Sequence, residues 1–267
     1  MTGWSLKGAS RSFTMKFSNQ FRSTLVVLAS VVALGLASCS PALHSVESQT
    51  HQRGIDEPFF VQPERMAAKR AIIDSGVPID LVFVGDSITQ NYEKPEYQPV
   101  WQKFYGHRHA LNLGYGMDTT GATLWRFRQG ELKGLAPKVA VILVGTNDIN
   151  MGRNGEDTAA GMISVVEEVK ARLPQTQILL LAILPSGPAP EKGIADVFAN
   201  LTIFMHYAKD PRVTLRDLTG VFIESDGQLK SEFFVEQPPK RALHPNPEGQ
   251  AAMAGAIDAT LERLLGE

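Results

Sequence analysis

Residues 80–88 read Asp80-Leu-Val-Phe-Val-Gly-Asp-Ser-Ile88. Four consecutive apolar residues with no polar alternation predict a short strand covered on both faces, as strands of parallel sheets are. The Gly-Asp-Ser that ends it predicts a tight turn holding Ser87 at the strand's carboxyl end. Four further runs have the same character: Ala110–Leu113, Val139–Val144, Gln177–Ile183 and Arg212–Leu215. Helical patterns fall near 63–75, 119–131, 156–172, 192–208 and 248–265. The last follows Asn246-Pro247, a capping residue and a proline suited to a first helical turn. The alternation predicts an α/β domain with a five-stranded parallel sheet and helices on both faces. Ligands of such sheets bind outside the carboxyl ends of the strands, so the residues there carry the functional reading.

Those residues are Gly85-Asp-Ser87 after the first strand, Gly114-Tyr-Gly116 after the second and Gly145-Thr-Asn-Asp148 after the third. Leu243-His-Pro-Asn246 leads into the last helix. A Gly-Asp-Ser triplet alone is weak evidence, since most such triplets are turns. Four elements in this order, each at a strand end or before the final helix, are specific together. With Phe83-Val-Gly-Asp-Ser-Ile-Thr89, Val144-Gly-Thr-Asn-Asp148 and Leu243-His-Pro-Asn246, the chain resembles the SGNH/GDSL hydrolases. The likeness is strongest to the platelet-activating-factor-acetylhydrolase-like and carbohydrate-esterase branches, over residues from about 78 to 262. The resemblance implies a flavodoxin-like three-layer α/β/α sandwich and hydrolysis of esters of small acyl groups.

It also implies roles. Ser87 would attack the ester carbonyl, and His244 would take its proton and pass it to the leaving alcohol. The backbone N–H groups of Ser87 and Gly114 and the side-chain amide of Asn147 would hold the oxyanion. No metal or organic cofactor is called for. Asp86 and Asp148 are expected to brace loops. Among the other histidines, His44 and His51 fall in a tether, His107 and His109 precede a strand, and His206 falls within a helix.

One departure matters. The family's orienting Asp, three residues before the His, is Arg241 here, and a cation beside His244 would disfavour the imidazolium formed in catalysis. Three readings stand: a Ser–His dyad with a backbone carbonyl as orienting group, a displaced acid (Glu236, Glu232 or Asp226), or a weak or inactive site. For Arg241 itself, the plain reading is a surface side chain turned to water, and the alternative is a contact to an anionic substrate group.

The chain's beginning is basic, with Lys7, Arg11, Lys16 and Arg22 and no acid. An apolar run, Leu25–Ala37, is too short to span a bilayer comfortably but suits a signal sequence. It ends Leu36-Ala-Ser-Cys39, which resembles a bacterial lipobox and implies a lipid on Cys39, with Ser40 favouring the outer membrane in a Gram-negative cell. The expected organisation is a signal over 1–38, a tether over 39–57 and the hydrolase domain over 58–267, with Met1 or Met15 as the start. Cys39 is the only cysteine, which rules out a disulfide within the chain. A net charge of −2 gives no general attraction to nucleic acid.

The functional expectation is an exported serine esterase, anchored to the envelope membrane through Cys39, acting on a small ester or an acylated carbohydrate. Trp101, Tyr105, Tyr115 and Trp125 could stack on sugars, although core packing is the commoner fate of such residues. Two alternatives remain: a glycan-binding lipoprotein without catalysis, and a lysophospholipase or thioesterase using the same serine.

Overall fold

The computed structural model describes residues 57–59, 61–187, 190–236 and 241–267. The expected signal and Cys39 lie outside the described residues. In chain order the elements are α1 (Pro63–Asp74), β1 (Leu81–Gly85), α2 (Ser87–Gln90), α3 (Gln98–Phe104) and β2 (Ala110–Gly114). Next come α4 (Thr120–Arg128), β3 (Val139–Leu143), α5 (Thr146–Asn150), α6 (Gly155–Arg172) and β4 (Gln177–Leu181). The last are α7 (Pro190–Tyr207), β5 (Val213–Arg216), α8 (Thr219–Phe222) and α9 (Pro247–Leu265).

All strand pairings are parallel and the sheet order is β2-β1-β3-β4-β5, the flavodoxin-like winding. The order reverses between β1 and β3, so a crevice opens at their carboxyl ends. Successive side chains of each strand feed two cores. Val82, Val84, Ala140, Ile142, Ile178 and Leu180 pack under α1, α4, α6 and α7. Leu81, Phe83, Val139, Val141, Leu179 and Leu181 pack on the opposite face, where α9 contributes Met253, Ile257 and Leu261. Each fully buried aliphatic side chain contributes roughly 1.5–3 kcal/mol relative to exposure, and this double coverage is why the strands read as unbroken apolar runs.

The five long helices begin and end close to their expected bounds. Asn246 caps α9 by accepting the Gly249 N–H at 2.9 Å, with Pro247 behind it. Asn154 and Thr119 cap α6 and α4 in the same way. The crossover between β1 and β2 was not foreseen as helical. It is built from α2, three single 3₁₀ turns, 91–93, 95–97 and 106–108, and the seven-residue α3. Pro95 and Pro99 interrupt any longer periodicity there, which hides the helix from a pattern search. The aromatic residues of this crossover go inward. Trp101 packs 5.3 Å from Phe83 and 5.2 Å from Tyr105, ring centre to ring centre, and Tyr105 and Tyr115 are buried. Buried as they are, Tyr105 and Tyr115 form no sugar platform.

Candidate active site

The carboxyl ends of β1 and β2 are roofed by α2 at very short range. A Cβ on Gly85 would lie 2.3 Å from Thr89 Oγ1 and 2.5 Å from the Leu143 carbonyl oxygen. A Cβ on Gly114 would lie 2.5 Å from the Gln90 nitrogen. Only glycine fits at either place, and the closeness fixes the turn between them. Asp86 caps α2, its Oδ1 accepting the Ile88 N–H at 2.9 Å. Burial pushes its carboxyl up to about 7, against the opposing pull of that hydrogen bond, so it braces the turn. Ser87 follows as the first residue of α2, half-buried, with an N–H that no helical carbonyl can accept.

Ser87 Oγ lies 2.9 Å from His244 Nε2, although the two residues are 157 positions apart. His244 is brought there by a short antiparallel pairing just before α9. The Val235 N–H donates to the His244 carbonyl at 2.9 Å, the Asn246 N–H donates to the Phe233 carbonyl at 2.9 Å, and Phe234 bridges Pro245. The same pairing carries Glu236 to the far side of the imidazole. Its Oε1 lies 2.5 Å from His244 Nδ1, and its Oε2 accepts the backbone N–H groups of His244 at 2.9 Å and Leu243 at 3.1 Å. A carboxylate can only accept, so Nδ1 carries the proton and Nε2 is left to accept from the serine hydroxyl. Burial of Glu236 pulls its carboxyl upward, but the hydrogen bonds from the ring and the two N–H groups outweigh it and hold the group below the usual carboxylate range.

Of the three acids weighed from sequence, only Glu236 reaches the histidine. Asp226 caps its own turn by accepting the Gln228 N–H at 2.9 Å, and Glu232 is exposed. Arg241 does not turn to water. Its guanidinium donates to Asn150 Oδ1 and Ser186 Oγ, away from the imidazole and towards the ends of β3 and β4. The position three before His244 is therefore occupied by a loop clamp.

Asn147 sits in the first turn of α5, 5% exposed. Its Nδ2 donates to the Asp118 carbonyl at 2.9 Å, which uses one of two amide protons and leaves the other. Gly114 stands elsewhere than its expected role requires. Its N–H donates to Asn112 Oδ1 at 2.8 Å and its carbonyl accepts from Arg65 Nε at 2.9 Å. Accounting for the backbone from 114 to 118 points two to three residues further on. Tyr115 N–H goes to the Gly85 carbonyl, Gly116 N–H to Gln90 Oε1 and Asp118 N–H to the Tyr115 carbonyl. Among the described residues only the Met117 N–H finds no protein acceptor in this stretch. Met117 has φ 68°, one of two non-glycine residues with positive φ among the described residues, and its neighbour Gly116 would place a Cβ 3.9 Å from the Ser87 Cβ. A methionine gives no sequence signal of left-handed backbone, so this donor was missed. The turn is held from below by Arg126, which is ion-paired with Asp118 and stacked 3.8 Å over the Tyr115 ring. Asp148 ties α4 to α5 by accepting from the Thr120 N–H at 2.9 Å and the Thr120 hydroxyl at 2.6 Å.

The other described histidines stand apart. His109 pairs with Asp80 at the amino ends of β1 and β2, 2.8 Å away, and His206 is exposed on α7. Among the described residues no group of three or more His, Cys, Asp or Glu is placed to hold a metal ion.

Comparison with known proteins gives the family. The GDSL-like Lipase/Acylhydrolase family matches residues 83–252. The alpha2 subunit of platelet-activating factor acetylhydrolase IB from Rattus norvegicus is 33% identical over 189 residues, covering 70% of this chain and 78% of that protein. A GDSL-like lipase from Bacteroides thetaiotaomicron superposes with a TM-score of 0.56 at 21% identity, covering 74% of this chain and 98% of the other. A catalytic mutant of the acetylxylan esterase Axe2 from Geobacillus stearothermophilus superposes with a TM-score of 0.52 at 18% identity, covering 70% and 94%. The winding, the strand-end blocks and the extent of these matches lead to one assignment: the chain belongs to the GDSL-like lipase/acylhydrolase family and is an ester hydrolase.

Proposed function

We propose that the protein removes short acyl groups, acetyl foremost, from esters carried on carbohydrate, using a Ser87–His244–Glu236 triad. The observation that carries this is the unbroken relay from Ser87 Oγ to His244 at 2.9 Å and from His244 to Glu236 at 2.5 Å. The serine oxygen bonds to the ester carbonyl carbon as its proton moves to His244 Nε2. The carbonyl π electrons go to oxygen, and collapse expels the alcohol, which takes the proton from Nε2. Water repeats the sequence on the acyl-enzyme and releases the carboxylic acid. Glu236 holds the ring in the required tautomer and balances the imidazolium charge. The Ser87 N–H, the Met117 N–H and the free Asn147 amide proton supply three oxyanion donors.

Asn147→Ala is expected to lower kcat on p-nitrophenyl acetate by on the order of a hundred- to a thousand-fold with little change in KM, because the lost bond strengthens only as charge develops. A fall in kcat/KM caused by KM alone would remove Asn147 from the oxyanion site. The acetyl preference rests on the mammalian relative's name, an acetylhydrolase. The carbohydrate carrier rests on the export signal read in the first 39 residues. Comparing acetate, butyrate, octanoate and decanoate esters tests the acyl class, and a maximum at the long chains would favour the lysophospholipase or thioesterase reading instead.

Envelope anchoring through Cys39 belongs to the same proposal. Cys39→Ser is expected to move the protein from the membrane pellet to the soluble fraction, and its purified domain to keep full activity. A Cys39→Ser chain that still pellets with membranes would remove the lipid anchor from the account.

A further inference from the structure

Helix α1 begins beside the nucleophile, and its first residues are fixed there by two contacts. Arg65 Nε donates to the Gly114 carbonyl at 2.9 Å, and its guanidinium lies 5.1 Å from the centre of the Tyr115 ring. Gln62, the residue before Pro63, stands where a capping side chain would stand, yet it makes no side-chain capping hydrogen bond. It turns instead to Gln90, the last residue of α2, whose Nε2 donates to Gln62 Oε1 at 3.2 Å.

The direction of both amides follows from a backbone group. The Gly116 N–H can only donate, so the Gln90 atom that meets it is Oε1. Gln90 therefore offers Nε2 at its other side, and Gln62 meets that nitrogen with its oxygen. This leaves Gln62 Nε2 with two protons and no acceptor among the described residues. A Cβ on Gly116 would lie 3.9 Å from the Ser87 Cβ and 4.0 Å from Gln62 Nε2. The missing side chain thus leaves open a space bounded by the nucleophile on one side and a half-buried amide donor on the other.

The acyl part of an acetyl ester has nothing to offer that donor. Its one polar atom is the carbonyl oxygen, which goes to the Ser87, Met117 and Asn147 donors. An acceptor for Gln62 must therefore belong to the alcohol part. In a sugar, a hydroxyl on the carbon next to the esterified one stands only three bonds beyond the ester oxygen. A neutral amide also suits a neutral hydroxyl, since neither brings a charge to be desolvated.

We infer that Gln62 is the residue by which the site recognises a sugar ester: its side-chain amide donates to a hydroxyl vicinal to the ester, across the space that Gly116 leaves open. This role rests on the proposed acetyl-esterase reading and adds the group that tells a sugar acetate from a plain alkyl acetate. Gln90 is a positioning residue, holding the amide with its donors towards the crevice.

The full chain and its Gln62→Ala and Gln62→Met variants are compared on two esters that differ by one hydroxyl, trans-2-hydroxycyclohexyl acetate and cyclohexyl acetate, with acid release followed at constant pH. Methionine is close to glutamine in length and volume but has no donor, so it keeps the packing if alanine loosens it. The readout is the ratio of kcat/KM on the hydroxylated ester to kcat/KM on the plain one, taken within each protein. That ratio should be about three- to tenfold larger in wild type than in either variant, the worth of one neutral hydrogen bond. Equal ratios in all three proteins overturn the inference. Variants that lose rate on both esters in step would give that result too, and would make Gln62 a prop for Gln90 and the Gly116 turn. A wild type inert on both esters and on p-nitrophenyl acetate overturns the esterase reading and this role with it, whereas hydrolysis with equal ratios overturns this role alone.

Discussion

Ser87→Ala and His244→Ala are each expected to cut kcat on p-nitrophenyl acetate by on the order of 10⁴- to 10⁶-fold, with melting temperature and KM nearly unchanged. The serine hydroxyl is a small, half-buried group whose one side-chain hydrogen bond among the described residues is the 2.9 Å bond to His244 Nε2, so its loss removes chemistry and little packing. The two losses should not add. Once the nucleophile is gone the base has no proton to take, and the double variant should be no slower than either single one. Wild type should also release a rapid first equivalent of p-nitrophenolate as the acyl-enzyme forms, absent from Ser87→Ala. A wild-type protein no faster than Ser87→Ala, and without a burst, would end the esterase reading. It would turn attention to a binding role on the same fold.

The features that sequence reveals in this fold are those set by local pattern. Unbroken apolar runs mark β1, β3 and β4 because each is buried on both faces, while the shorter, partly exposed β5 is marked only by Val213 and Leu215. Asn246-Pro247 marks the start of α9 because cap and proline act within one turn. The seven-residue α3 escapes because packing of Phe83, Trp101 and Tyr105 stabilises it, and that packing joins residues distant in sequence. Helices this short gain little from intrinsic propensity.

The site divides on the same principle. Ser87, His244 and Asn147 stand in recognisable local phrases, so sequence alone could nominate them. The partner of His244 could only be narrowed to three acids, because an antiparallel pairing of 233–235 with 244–246 decides which one reaches Nδ1. Gly114 attracted the oxyanion role for being a glycine after a strand. Its lack of a side chain instead makes room for α2, since a Cβ there would lie 2.5 Å from the Gln90 nitrogen. Met117 adopts positive φ at a position where composition predicts nothing of the kind, held there by the Tyr115–Asp118 turn and the Arg126 ion pair beneath it.

Glu236→Gln is expected to lower kcat by on the order of 10²- to 10⁴-fold while leaving Ser87 and the oxyanion donors in place. The amide keeps nearly the same shape but can present N–H to Nδ1, which favours the tautomer that puts the proton on Nε2, where it blocks acceptance from the serine. Glu236→Asp should fall between wild type and Gln, since a carboxylate one methylene shorter keeps the charge but must stretch the 2.5 Å contact. Glu232→Gln and Asp226→Asn should leave the rate unchanged. Acid titration gives an independent check. Hydrogen bonds hold the folded Glu236 below its unfolded pKa despite the upward pull of burial, so its contribution to stability is present above the unfolded value and is lost as pH falls through the folded one. Urea midpoints compared at neutral and acidic pH should therefore fall less in Glu236→Gln than in wild type. If Glu236→Gln retains wild-type kcat, His244 needs no carboxylate, and the pair Ser87–His244 works as a dyad with Glu236 serving only to tie its loop to the Leu243 and His244 backbone.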